Sequence, residues 1–246
     1  MNQLTRISLG RVGAVGALIV LLAACGGGGG GSSGGGGTTA ATFNVNAAWH
    51  NLLTVTQTWT TSGVSTIDSK TYGLSIAVAP GATAAFPVTG TTYAVSDSTA
   101  ILSLGGLGIA NTTSATYFDA ATNVAAGTRD RANGGAATCT VATASVAPPT
   151  AAQLVGATGA LQTFDVYDGC LSPATLNGKT GTSTVTWSLM STGGVTFFCL
   201  NGTRRDLAGT ITAFEIDCFE VAESGTLGTH ARITVSNSSI NVTATN

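Results

Sequence analysis

Apolar and polar residues alternate with a period of two in several short stretches of this chain, and that pattern restricts its fold more than any other feature. In residues 72–78, Tyr, Leu, Ile and Val alternate with Gly, Ser and Ala. Four more stretches repeat the pattern, with apolar members Val185, Trp187 and Leu189, then Phe214, Ile216 and Cys218, then Ile233 and Val235, and finally Ile240 and Val242. Such alternation is typical of antiparallel sheets with one buried and one wet face. We therefore expect Ala213, Glu215 and Asp217 to point outward.

Turn-forming residues separate these stretches, as expected for many short strands. They occur at Pro80-Gly81, Asn133-Gly134-Gly135, Asn177-Gly178, Gly193-Gly194, Asn201-Gly202 and Asn237-Ser238. No amphipathic stretch is long enough to predict a helix beyond a turn near 120–126 or one after Pro148-Pro149. We predict an all-β domain over residues 42–246, an antiparallel β-sandwich or a barrel-like domain. We expect one continuous sandwich-like unit, with a boundary near 148–150 as the alternative.

The first 24 residues have the pattern of an export signal. Arg6 and Arg11 are followed by an apolar run at 12–22, which is shorter than the roughly 20 residues that span a bilayer. The run ends in Leu22-Ala23-Ala24-Cys25, which resembles the lipobox of bacterial lipoproteins. The resemblance implies cleavage before Cys25 and acyl chains such as palmitate on that residue, which hold the protein on a membrane. The alternative is an ordinary signal peptide in which the cysteine occurs by chance.

Residues 25–41 are predicted to be the lipidated cysteine and a Gly/Ser-rich linker. A flexible chain of this composition and length spans roughly 20–25 Å on average. No Lys-Ser or Lys-Thr follows the glycines, so a phosphate-binding loop is not indicated. Lipoproteins kept at the inner membrane typically have Asp after the cysteine, whereas this chain has Gly26. The resemblance therefore implies a location in the cell envelope, at the outer membrane.

The charge of the chain argues against a nucleic acid partner. Cleavage before Cys25 would leave seven Lys and Arg against eleven Asp and Glu, a formal charge of −4. Charged residues are only 8% of the chain, where about a quarter is usual. The basic groupings, Arg129/Arg131 and Arg204/Arg205, both lie beside Asp, whereas phosphate binding needs clustered cations.

Four further cysteines predict disulfide bonds, because an even number of cysteines in an exported chain implies that they pair. Three pairings are possible, and we predict Cys199–Cys218 with Cys139–Cys170. Cys199 ends one predicted strand and Cys218 ends the next, so a simple hairpin around 201–207 would not set them opposite each other. A bulge, or pairing between sheets, is then needed. Zinc and redox chemistry are less well supported, because the chain has no Cys-x-x-Cys and only two His.

The C-terminal half is similar to a group of uncharacterised Gly-linker lipoproteins of proteobacteria. The similarity lies in Gly159-Ala160-Leu161, Thr186-Trp187-Ser188-Leu189, Phe198-Cys199-Leu200-Asn201 and Asp217-Cys218-Phe219-Glu220. It covers about 90 residues and favours the Cys199–Cys218 pair, which leaves Cys139 for Cys170. It implies no catalytic residue and no cofactor.

A search for catalytic groupings yields only isolated candidates. Neither Gly-x-Ser-x-Gly nor Ser-x-x-Lys occurs, and His50 and His230 are expected to be structural or surface residues. A glycosidase would need two facing carboxylates, for which the candidates are Asp165, Asp168, Glu215, Asp217, Glu220 and Glu223. Glu215 and Asp217 could accept Ca²⁺, but a solvated acidic strand is the preferred interpretation. We expect Trp187 and Trp59 to be buried and only Trp49 to be exposed, and we expect neither a metal nor a cofactor.

Three functions are consistent with these features. The first is a non-catalytic β-domain, anchored in the envelope, that makes structural or adhesive contacts. The second is a periplasm-facing binding lipoprotein for a small ligand, a glycan or an envelope protein. The third, less favoured, is an envelope hydrolase that uses His50, His230, Asp165 or Asp217.

Overall fold

Antiparallel strands make up most of this chain, in a computed structural model that describes residues 40–132, 136–170 and 178–246. Twelve of the strands form a closed barrel, and two short ones pair outside it. The elements are β1 (Thr42–Phe43), α1 (Val45–Thr54), β2 (Gln57–Val64), β3 (Thr71–Ala85), β4 (Thr92–Leu104), β5 (Leu107–Phe118), β6 (Ala125–Ala132), β7 (Thr138–Ser145), β8 (Gln153–Leu154), β9 (Thr158–Tyr167), β10 (Lys179–Thr192), β11 (Val195–Asp206), β12 (Ile211–Val221), β13 (Leu227–Asn237) and β14 (Asn241–Thr245). The all-β prediction is confirmed, in its barrel form.

Each barrel strand pairs with its neighbours in the sequence, apart from two joins. Strand β7 pairs directly with β9, because β8 lies outside the ring and pairs with β1. Strand β14 pairs with β2, which closes the ring between the last and the first barrel strands of the described chain. Strands from both sides of Pro148-Pro149 therefore belong to the same ring. A closed ring leaves no free sheet edge, so every barrel strand has hydrogen-bonded neighbours on both sides.

Helix α1 covers one end of the barrel, which we call the helix end. Asn44 caps it, because its side-chain oxygen accepts a hydrogen bond from the Ala47 backbone N–H at 2.9 Å. Asn51 donates from its side chain to the Gly225 carbonyl oxygen between β12 and β13, at 3.0 Å. The expectation that the chain has no helix of this length was wrong. The helix has only ten residues, and its apolar side is buried against the barrel.

One half of the barrel interior is apolar. The alternating residues Tyr72, Leu74, Ile76 and Val78 of β3 all point inward and are buried, as predicted. Trp59 stacks on Phe219 with ring centroids 4.1 Å apart. The other half is lined by buried hydroxyl, amide and carboxylate side chains, which are Ser96, Ser98, Thr112, Ser114, Thr116, Thr128, Asp130, Thr140, Gln162, Ser183 and Asp217.

The predicted orientation of β12 was wrong. Phe219 packs in the main core, and Asp217 and Glu215 lie on the same inward face because side chains alternate along a strand. Cys218 lies on the other face, in a separate small cluster with Cys199 and Phe197. The sequence is ambiguous at this point, because Cys218 and Phe219 are both apolar and either one could have been the core residue.

Two disulfide bonds are present, Cys139–Cys170 and Cys199–Cys218. Cys199 and Cys218 lie directly opposite each other on β11 and β12. The turns expected at Asn201-Gly202 and Pro80-Gly81 were wrong, because the first lies inside β11 and the second inside β3, next to a register shift. Strand β11 continues to Asp206, and a register shift next to Arg205 brings the two cysteines into line.

Candidate functional site

A cavity of about 60 Å³ lies inside the barrel beneath α1. Its lining comes from the helix and from β5, β6, β9, β10, β11 and β12. The lining residues are Trp49, Thr116, Thr128, Gln162, Phe164, Val185, Leu200, Gly202, Glu215 and Asp217. Pockets for drug-sized ligands measure about 300–1,000 Å³, so this cavity suits only a compact molecule.

Two carboxylates form one wall of the cavity. Asp217 and Glu215 are successive inward residues of β12, about 7 Å apart along the strand, and their cross-strand neighbours on β11 are Leu200 and Gly202. Asp217 is only 5% exposed. Among the described residues that line the cavity, none is Lys, Arg or His. The wall is therefore acidic, and it is shielded from bulk water at Asp217 and half-buried at Glu215.

A buried amide group faces the same cavity. Gln162 on β9 is 8% exposed, and its Nε2 atom has no hydrogen-bond partner in the described protein. The pairing of β9 with β10 shifts by one residue between Val185 and Thr186. This bulge lets both Leu161 and Gln162 be buried, although they are adjacent in the sequence. A buried donor without a protein partner costs about 1–3 kcal/mol, so a group in the cavity that accepts its hydrogen bond would be favoured.

An indole ring from α1 closes the cavity at the helix end. Trp49 is 4% exposed, so the expectation that it lies on the surface was wrong. Its Nε1 donates to the backbone oxygen of Asn123 at 2.8 Å, and His50 Nδ1 lies 3.0 Å from the Asn123 side-chain oxygen. Asn123 has a φ of +57°, a conformation that Asn tolerates better than most residues. Asp119 stabilises this turn by accepting hydrogen bonds from Thr122, which lower the pKa of its carboxyl group.

Further polar side chains continue from the cavity toward the opposite end of the barrel. The Thr128 hydroxyl lies 3.0 Å from that of Thr140, and Ser114 donates to the carboxylate of Asp130. Burial lowers the pKa of the nearby Arg204, and the charges of Asp130 and Asp168 oppose that effect. This cluster, on the side of the cavity away from α1, contains cationic and anionic side chains, whereas the charged residues in the described cavity lining are all acidic.

Most of the sequence candidates lie away from the cavity. Asp165 forms an ion pair with Lys179 at 2.6 Å. Glu220 accepts hydrogen bonds from the backbone and ring nitrogens of His230, which lower the pKa of its carboxyl group. His50 lies on the exposed side of α1.

Of the six candidate carboxylates, only Glu215 and Asp217 line the cavity. In the ranges that the structure describes, no three His, Cys, Asp or Glu side chains are grouped so that they could hold a metal. Sequence analysis missed Gln162 and Trp49 as lining residues. A glutamine inside a strand with apolar neighbours was the available signal for the first, and the helical cap at Asn44 was the available signal for the second.

Cys25 and the linker up to residue 39 lie outside the described residues, as do Asn133-Gly134-Gly135 and Asn177. Within the described ranges, no helix has both the length and the apolar character of a membrane span. A scan against protein-family models finds no match, and neither do searches of curated proteins and of solved structures.

Proposed function

We propose that this protein is a lipid-anchored binding protein of the cell envelope, whose barrel holds a small polar ligand. The observation that carries the proposal is the cavity, which combines inward carboxylates with a buried amide donor. A concave site that brings several polar side chains together inside the protein is a candidate for a binding function.

The route of the chain supports an anchor on the helix side. The described chain begins at residue 40 and enters β1 and then α1. A lipidated Cys25 would therefore be tethered near the helix end, above the cavity. The two disulfide bonds fit an oxidising compartment outside the cytoplasm.

The cavity supports binding better than catalysis. Glu215 and Asp217 come from one strand and form one wall, whereas glycosidases place carboxylates on both sides of the bond that is cleaved. Among the described lining residues, none is Ser, Cys, His or Lys, so no nucleophile–base pair of the Ser-His or Cys-His kind lies in this lining. We therefore propose a non-enzymatic role without a cofactor.

The anchor and the binding activity need separate tests. Cys25→Ser or globomycin treatment should abolish processing and membrane association, and unchanged fractionation would contradict lipidation. For binding, low-molecular-mass fractions of the envelope should raise the thermal midpoint of the purified mature protein. A Gln162→Leu variant, which keeps the side-chain volume but removes the amide, should respond less. No shift of the wild-type protein with any fraction would contradict the proposed binding function.

A structural or adhesive role is the second candidate, because apolar side chains are exposed at the end of the barrel opposite the helix. Leu107 is 75% exposed in the β4–β5 hairpin, and Val64 and Ile67 lie at the β2–β3 turn of the same end. This end points away from the residues that lead to the linker. An envelope protein or a glycan would be the partner. Complete protection of the protein from protease added to intact cells would contradict an adhesive role at the cell surface.

A further inference from the structure

We infer that the cavity binds a small organic cation that also carries an oxygen acceptor, in the manner of an amino alcohol. The inference rests on the proposed binding function and specifies the class of ligand. Three features of the lining support it: the acidic wall, the amide donor and the aromatic rings.

The acidic wall favours a positively charged ligand. A cation in the cavity would face the carboxylates of Glu215 and Asp217, and no described lining side chain would repel it. At the depth of Asp217, water screens such an attraction less than it does at the surface. An anion of the same size would be repelled by the same wall.

The amide of Gln162 requires an acceptor as well. An ammonium group can donate only, so it cannot satisfy the unpartnered Nε2 atom. A hydroxyl or carbonyl oxygen on the same ligand would accept this hydrogen bond. A ligand with both groups would direct its ammonium group toward the acidic wall and its oxygen toward the amide.

The remaining lining suits carbon atoms next to an ammonium group. Trp49 and Phe164 provide aromatic rings, which attract cations, and Val185 and Leu200 provide apolar contacts. A water-sized group occupies roughly 10–15 Å³ on this measure of volume, so the cavity accommodates about four to six non-hydrogen atoms. A dehydrated metal ion is a poorer match, because hard cations take six or more oxygen ligands and no three-residue acidic group is present in the described ranges.

Four probes of nearly equal size separate these contributions. Ethanolamine carries both an ammonium group and a hydroxyl, propylamine lacks the oxygen, ethanediol lacks the charge, and glycolate carries the opposite charge. Each would be titrated into the mature protein at constant ionic strength, with intrinsic tryptophan fluorescence, to which Trp49 in the cavity contributes, as the readout and calorimetry as the second measurement. We expect saturable binding of ethanolamine, weaker binding of propylamine, and no binding of glycolate.

Three isosteric variants test the residues. Asp217→Asn and Glu215→Gln should each weaken ethanolamine binding by at least about tenfold, the loss typical of one charge-assisted hydrogen bond. Gln162→Leu should weaken ethanolamine binding but leave propylamine binding unchanged. Glu220→Gln is the matched control, because it makes the same chemical change at a partly exposed residue outside the cavity, and it should bind as the wild type does. Circular dichroism of each variant verifies that it is folded.

The outcomes separate this inference from the proposed function. Binding of ethanediol or glycolate in place of ethanolamine would overturn the inference but support a binding protein. Saturable binding of Ca²⁺ that depends on Asp217, without ethanolamine binding, would overturn it in favour of a metal site. No response to any probe, together with no response to envelope fractions, would overturn both.

Discussion

Replacing Trp49 by Ala should destabilise the domain, because this side chain is one of the buried groups that hold α1 on the barrel. The indole is almost fully buried and donates to the Asn123 oxygen at 2.8 Å. Truncating a buried Trp to Ala costs about 3–5 kcal/mol in the free energy of unfolding. For a domain of about 200 residues, each kcal/mol lowers the melting temperature by about 2–4 °C. We therefore expect the midpoint to fall by about 6–20 °C.

A second variant divides this loss between packing and hydrogen bonding. Trp49→Phe keeps most of the ring but leaves the Asn123 oxygen without its donor, which should cost about 1–3 kcal/mol. Val55→Ala is the control, because Val55 follows α1 and is 42% exposed, and it should change stability by less than about 0.5 kcal/mol.

The assay is thermal unfolding for the melting temperature and urea unfolding for the free energy, both with the disulfide bonds intact and followed by far-ultraviolet circular dichroism. The helix is small compared with the barrel, so the signal reports mainly the loss of strands. If Trp49→Ala and Trp49→Phe unfold at the same urea concentration as Val55→Ala, the helix does not contribute to the stability of the barrel and the structural argument fails.

Three further outcomes are expected. Gly127→Ala should cost about 1–3 kcal/mol in thermal unfolding, because its Cβ would overlap a carbonyl oxygen of β7, whereas Gly178→Ala has open space and should be neutral; equal midpoints would contradict the close approach. Replacing both Cys139 and Cys170 by Ser should cost about 3–4 kcal/mol in urea unfolding, since the bridge closes a loop with a sequence separation of 31; no loss would contradict that stabilisation. The lowered pKa of Glu220 contributes stability that is present above the pKa of an unfolded Glu and is lost as pH falls through its folded value, so Glu220→Gln should flatten the acid side of the stability profile; an unchanged profile would contradict the contribution.

The residues of β3 show how much local pattern can determine. Tyr72, Leu74, Ile76 and Val78 alternate cleanly with small residues, and the structure buries all four. A clean alternation leaves one choice of core face, so strand and orientation follow from sequence alone. The predicted turns were less consistent. Gly193-Gly194 separates two strands and Asn237 ends another, as expected from local backbone preferences, but Pro80-Gly81 lies inside β3 and Asn201-Gly202 inside β11.

In β12, by contrast, the local pattern of apolar and polar residues does not determine which face of the strand is buried. Apolar and polar residues occur on both of its faces, so the sequence allows either side to be buried. The choice depends on core contacts with residues far away in the sequence, among them Trp59, whose ring packs against Phe219. Once Phe219 points inward, Asp217 and Glu215 must follow, because side chains alternate along a strand.

Local sequence therefore determined that this chain forms antiparallel strands separated by tight turns, because alternation and turn propensities act between near neighbours. Only the tertiary structure decided that twelve strands close into a ring, that a short helix covers one end, and that two carboxylates meet a buried amide inside. Those features depend on contacts between residues far apart in the chain. The distance between Gln162 and Asp217 in the sequence carries no information about such contacts.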